Sequence, residues 1–237
     1  MLVTFIASVH VKALLATDPV QTDADDPAVW VHPSSPGKSL VLGTNKVEAP
    51  FGSLYVFGLD GKTRQVVTNL DRPNNVDVEY GFRAGKSRFD IAVVTERKAR
   101  RLRIFRFDKQ GTLHDVSGKT ALARSEKPEE NEPMGVGLYR EKVTGKVFAI
   151  ISPKNGPETG YLHQYELVWD ARLKRIDTKL IRRFGIFSGK KEIESVCVDD
   201  ELGLVYYSDE TVATRKYSVA PNAPDEQIGT LNESGFE

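Results

Sequence analysis

Apolar and polar residues alternate with a period of two in short runs along this chain, and spacing at three and four residues is scarce. Turn residues separate the runs, which predicts an all-β chain of short strands. The runs group into trios. Residues 28–32, 40–44 and 54–59 make the first, with 65–68 as a fourth strand. Residues 75–82, 89–95 and 102–107 make the second, followed by 113–116. Residues 134–140, 147–152 and 161–169 make the third, with 179–184 following. Residues 193–198, 204–208 and 213–219 make the fourth.

The third runs align as LYVFGL (54–59), LRIFRF (102–107), LHQYEL (162–167) and TRKYSV (214–219), each with an aromatic at its fourth position. Four strands in roughly 50–60 residues is the size of a β-propeller blade. A β-sandwich with coincidental spacing is the competing reading, and recurrence in four units favours the propeller.

Composition narrows the function classes. The chain has 33 basic and 33 acidic residues, so its net charge is zero, which argues against bulk capture of nucleic acid or an anionic membrane. Its one cysteine, Cys197, excludes an intrachain disulfide and a cysteine-built metal cage, and is expected to be a packed, inert thiol. No segment approaches the roughly 18 apolar residues of a membrane-spanning helix. Residues 1–16 read as an N-terminal segment, either a remnant of a secretory signal or an edge strand.

Superimposing the units sorts the polar residues. After each second strand stand Thr44-Asn45-Lys46, Thr95-Glu96-Arg97, Ser152-Pro153-Lys154 and Ser208-Asp209-Glu210. At or before each first strand stand Asp25-Asp26-Pro27, Asn74-Asn75-Val76-Asp77, Glu132-Pro133-Met134 and Glu194. In an antiparallel blade these positions share one face, so a propeller would gather them around one mouth of its channel. Asp25, Asp26, Glu194 and Glu210 without histidine or thiolate partners suit a hard cation such as calcium. Lys46, Arg97 and Lys154 suit a phosphate. Metal and cationic clamp together suit phosphoryl hydrolysis by metal-activated water. Loop charges are as a rule simply solvated; three cations at one repeat position weigh against that here.

Other motifs carry less. Gly61-Lys62-Thr63 and Gly118-Lys119-Thr120 lack the upstream glycine of a P-loop. The four histidines show no metal-ligand spacing, and no G-x-S-x-G elbow occurs. The basic run 97–103 has no interleaved aromatics for nucleic-acid stacking. Residues 125–131 read as an exposed polar connector.

DADDPAVWVHP (23–33), LGTNK (42–46), NNVDVEYGF (74–82), HQYEL (163–167) and EIESVCVDDELGLVYYSDE (192–210) resemble the β-propeller phytases, from about residue 17 onward. The resemblance implies a secreted, calcium-dependent six-bladed propeller that removes phosphates from inositol hexakisphosphate and is monomeric when full length. It implies that Asp25, Glu194 and Glu210 ligate the calcium ions that bridge substrate phosphate and activate water. Asp26 with the Pro27 and Val76 carbonyls would form a structural calcium site, and Lys46, Arg97 and Lys154 would bind phosphate. Three positions depart from the family pattern: Val47 where a second lysine is frequent, Met134 where a tyrosine is common, and Asn155 where an acid can occur. The chain also stops where further blades are expected. Residues 17–237 are thus expected to form about four of six blades, an open arc with two exposed edges and an incomplete metal site. The competing functions are a non-catalytic propeller that binds anions or a protein, and another calcium-dependent propeller hydrolase such as a sugar lactonase, which would not need the three cations.

Overall fold

The computed structural model describes residues 12–122 and 125–231. The expectation for residues 1–16 falls largely outside that range. Four four-stranded antiparallel sheets follow one another along the chain, each a simple meander. The first blade is β1 (Ala24–Trp30), β2 (Leu40–Asn45), β3 (Gly52–Gly58) and β4 (Thr63–Leu70). The second is β5 (Pro73–Ala84), β6 (Ser87–Glu96), β7 (Arg101–Phe107) and β8 (Leu113–Asp115). The third is β9 (Pro133–Arg140), β10 (Val147–Pro153), β11 (Thr159–Asp170) and β12 (Arg175–Ile186). The fourth is β13 (Val196–Asp199), β14 (Leu204–Asp209), β15 (Ala213–Ser218) and β16 (Gln227–Leu231). The described residues therefore form four blades of a propeller-like all-β fold. The last strand, Gln-Ile-Gly-Thr-Leu, has no expected counterpart: it is short and half-exposed, so alternation does not mark it.

The core lies between blades. One apolar cluster joins the first and second sheets, one the second and third, and one the third and fourth. The recurring aromatic explains this division. Phe105 fills the first interface, Tyr165 the second and Tyr217 the third, each 2% exposed or less. Full burial of such a ring contributes roughly 1.5–3 kcal/mol. Both faces of β6 and β10 are covered, so their sequences lose alternation and read as continuous apolar runs.

A hydroxyl repeats at the end of each second strand and ties blade to blade. Thr44 Oγ1 accepts the Asp26 amide at 3.2 Å and donates to the Asn74 carbonyl of the next blade at 2.7 Å. Thr95 Oγ1 accepts from Asn75 at 3.0 Å and donates to Met134 at 2.7 Å. Ser152 Oγ accepts from Gly135 at 2.9 Å and donates to Ile193 at 2.6 Å. All three are buried. In the fourth blade, Ser208 Oγ meets Thr214 Oγ1 at 3.4 Å instead.

Two local expectations change. Cys197 sits in a first strand as expected, but it is exposed rather than packed, because β13 lines an open cavity. The connector at 125–131 is not wholly exposed: Asn131 is buried and its amide bonds Ser125 and Lys127.

Candidate functional site at the channel mouth

The repeat positions share one backbone arrangement. In each blade, the residue two places after the hydroxyl donates its amide to a carbonyl just before or at the start of the first strand. Lys46 donates to Asp23 at 2.9 Å, Arg97 to Arg72 at 3.1 Å, Lys154 to Glu132 at 2.7 Å and Glu210 to Glu192 at 3.4 Å. Three cations and one carboxylate thus occupy one backbone position. Buried polar residues fix the turns that carry them. Asn45 Oδ1 accepts the Ser53 amide at 2.5 Å, and Glu96 accepts the Asp71 amide at 2.9 Å. Asp209 accepts Ser188 and Arg215.

A cavity of about 410 Å³ opens between the innermost strands, lined among others by Asp25, Asp26, Asp77, Glu194 and Cys197. Pro27 and Val76 also line it. Lys46 adjoins it through ion pairs: its Nζ is 2.8 Å from Asp25 Oδ1 and 3.8 Å from Glu194 Oε1. Glu194 precedes the fourth blade, so this contact crosses from the first blade to the fourth. Arg97, Lys154 and Glu210 stand at the equivalent positions but outside that lining.

The first strand of blade one begins earlier than its apolar pattern suggests, so Asp25 and Asp26 lie within β1. Asp26 Oδ2 accepts the Val76 amide at 2.9 Å, joining blades one and two. Burial raises the Asp26 pKa to about 6, and the charges of Asp25 and Glu194 push the same way against the Val76 and Asn75 hydrogen bonds. Asp77 repeats the pattern one blade on, accepting the Leu138 amide at 2.8 Å, with its pKa raised to about 6 chiefly by burial. For Lys46, burial pulls the pKa down, but the Asp25 bond and the charges of Asp25, Glu194 and Asp23 outweigh it and the pKa rises.

Sequence reasoning missed the partners of the other two cations. Arg97 Nε meets Glu132 Oε2 at 2.9 Å, and Lys98 Nζ meets the other oxygen of that carboxylate at 2.8 Å. Burial alone would raise the Glu132 pKa; Lys98 and Arg97 overcome it and lower it. Lys154 Nζ meets Glu192 Oε1 at 2.6 Å. Arg101 pairs with Glu96 and Arg103 with Asp115, so members of the basic run are neutralised locally. Met134 is wholly buried and offers the mouth no side chain.

The donors here suit a hard cation. Asp25, Asp26 and Glu194 supply oxygens only. Among the described residues the buried Asn74 Oδ1 accepts no hydrogen bond, while its amide nitrogen donates to Asn75 Oδ1 at 2.9 Å and reaches Glu194 Oε1 at 3.5 Å. Among the described residues, no three His, Cys, Asp or Glu side chains already converge as a cage. A cation would have to draw these carboxylates together and displace the Lys46 ammonium.

A family model described as Phytase matches residues 3–233. The chain is 31% identical over 214 residues to a "3-phytase" of Bacillus subtilis (strain 168), a match covering 89% of this chain and 53% of that protein. It therefore spans about half the length of that curated relative. A solved structure of a protein from Lactobacillus plantarum superposes with a TM-score of 0.54 at 12% identity, covering 91% of this chain and 57% of that one. A putative 6-phosphogluconolactonase from Bacteroides fragilis NCTC 9343 gives 0.52 at 13% identity, covering 86% and 56%. These two likenesses concern the fold alone.

Proposed function

The chain belongs to the phytase family, and from that premise we propose that residues 17–237 carry part of a calcium-dependent phosphomonoesterase acting on inositol hexakisphosphate. One observation carries the reading: three cations share one hydrogen-bonded repeat position, and the first of them, Lys46, pairs with two carboxylates that line the cavity. Asp25, Glu194 and Glu210 would hold the catalytic calcium, and Asp26 with the Pro27 and Val76 carbonyls a structural one. Bound there, calcium supplies Lewis acidity and activation of water. Arg97 offers a planar fork to phosphate oxygens, and Lys46 and Lys154 offer point charges. Together they stabilise charge developing on the phosphoryl group. Glu132 holds the Arg97 guanidinium in place before substrate arrives. The reading extends to an extracellular or periplasmic location; among the described residues, no helix is long and apolar enough to cross a membrane.

The second reading is an anion-binding propeller without turnover. It is favoured by the carboxylate already paired with each rim cation. Phosphate release and binding heat, measured on one preparation with calcium and with a chelator, separate the two. Calcium-stimulated release supports the enzyme. Tight binding of inositol hexakisphosphate with no release in either arm supports the binding module.

A further inference from the structure

Lys46 differs from the other rim cations in what it touches. Its ammonium stands between Asp25 and Glu194, at 2.8 and 3.8 Å. Both carboxylates belong to the calcium set proposed above. Arg97 and Lys154 pair with Glu132 and Glu192, which do not. Asn74 and Asn75 of the second blade hold Glu194 toward this contact, through Nδ2 bonds to its Oε1 at 3.5 Å and its carbonyl at 3.3 Å. An ammonium held between two carboxylates is the protein's own version of a hard cation. The Lys46 backbone is fixed by Asp23 and by the buried Asn45 beside it, but its four-carbon stem keeps its freedom to swing.

We propose that Lys46 is a built-in surrogate cation, which holds Asp25 and Glu194 together in the metal-free chain and is displaced by calcium toward the incoming phosphate. The inference rests on the calcium reading of this mouth. It makes metal binding and presentation of Lys46 one event, so calcium precedes phosphate. An ordinary surface ion pair would contribute little and would couple to nothing.

Calorimetric titration of calcium alone into the full chain tests this. Lys46→Met removes the competitor and should tighten calcium binding on the order of tenfold. Lys154→Met, whose partner lies outside the calcium set, should leave it unchanged. Equal or weaker binding in Lys46→Met overturns the proposal while leaving the calcium reading intact. No calcium binding in any of the three proteins overturns both. Reductive methylation of the wild-type chain, read by mass spectrometry, needs no variant. Calcium should speed modification of Lys46 severalfold and leave Lys154 unaltered; an unchanged or slowed Lys46 contradicts the proposal.

Discussion

The blade-one side of the mouth and the blade-two side are built on the same backbone position and behave differently. On both sides a cation follows a buried hydroxyl by two residues and donates its amide toward the start of the first strand. On the blade-two side, Arg97 is 7% exposed and locked to a carboxylate that also holds Lys98. On the blade-one side, Lys46 is 21% exposed and shared between two carboxylates from opposite ends of the arc. The repeat places the charge; the partner decides whether it is a fixed anchor or, as proposed for Lys46, a stand-in for a metal.

The largest effect should come from the shared carboxylates. Asp25→Asn or Glu194→Gln is expected to lower calcium-dependent phosphate release at least about 100-fold, because each removes a charge that cation binding needs. Release within threefold of wild type would place the metal elsewhere. On the anchored side, Arg97→Met should lower kcat/KM about 100-fold through lost charge stabilisation. Glu132→Gln should act oppositely and weakly, lowering KM a few-fold with kcat nearly constant, since it removes a counter-charge from Arg97. A large fall in kcat would show that Glu132 takes part in the chemistry.

Smaller effects concern the frame beneath both sides. Thr95→Val leaves the Asn75 amide and Met134 carbonyl without partners and should cost about 1–3 kcal/mol in chemical denaturation. Ser208→Ala, at the same repeat position in the fourth blade, should cost less than about 0.5 kcal/mol, because among the described residues its hydroxyl meets only Thr214, at 3.4 Å. Equal costs would mean that the hydroxyl does not join blades. A pH-dependent effect lies behind the Lys154 turn, where His163 accepts Arg183 Nε at 3.2 Å. Burial, then the Arg183 charge, lowers its pKa to about 4. A depressed folded pKa contributes stability above the unfolded value near 6.5 and loses it as pH falls toward 4. His163→Gln should reduce the stability lost between about pH 6.5 and pH 4 by about 1–2 kcal/mol; an unchanged loss would assign it to other groups.

Much of this frame was legible in the sequence. Alignment of the units by their third-strand aromatics put Lys46, Arg97 and Lys154 at one repeat position, and their backbone hydrogen bonds are equivalent. The same triplets carried the linking hydroxyls, since Thr44, Thr95, Ser152 and Ser208 each precede the rim residue by two. Their bonds to the next blade were not legible, because those depend on how one sheet stacks on another. The Lys46–Glu194 contact was hidden for a related reason: 148 positions of chain separate the pair, and only the curvature of the arc brings them close. Strand β16 escaped because a half-exposed last strand with a glycine at its centre needs no alternation. Cys197 misled because a first strand facing the channel is not a packed one.

The most direct measurement is phosphate release from inositol hexakisphosphate by this chain, followed across a calcium titration for wild type and Glu194→Gln side by side. The expected result is release that rises with calcium in the wild type and stays at the chelator baseline in the variant. Release that proceeds equally in chelator, or equally in both proteins, would contradict a calcium-requiring phosphate site at this mouth.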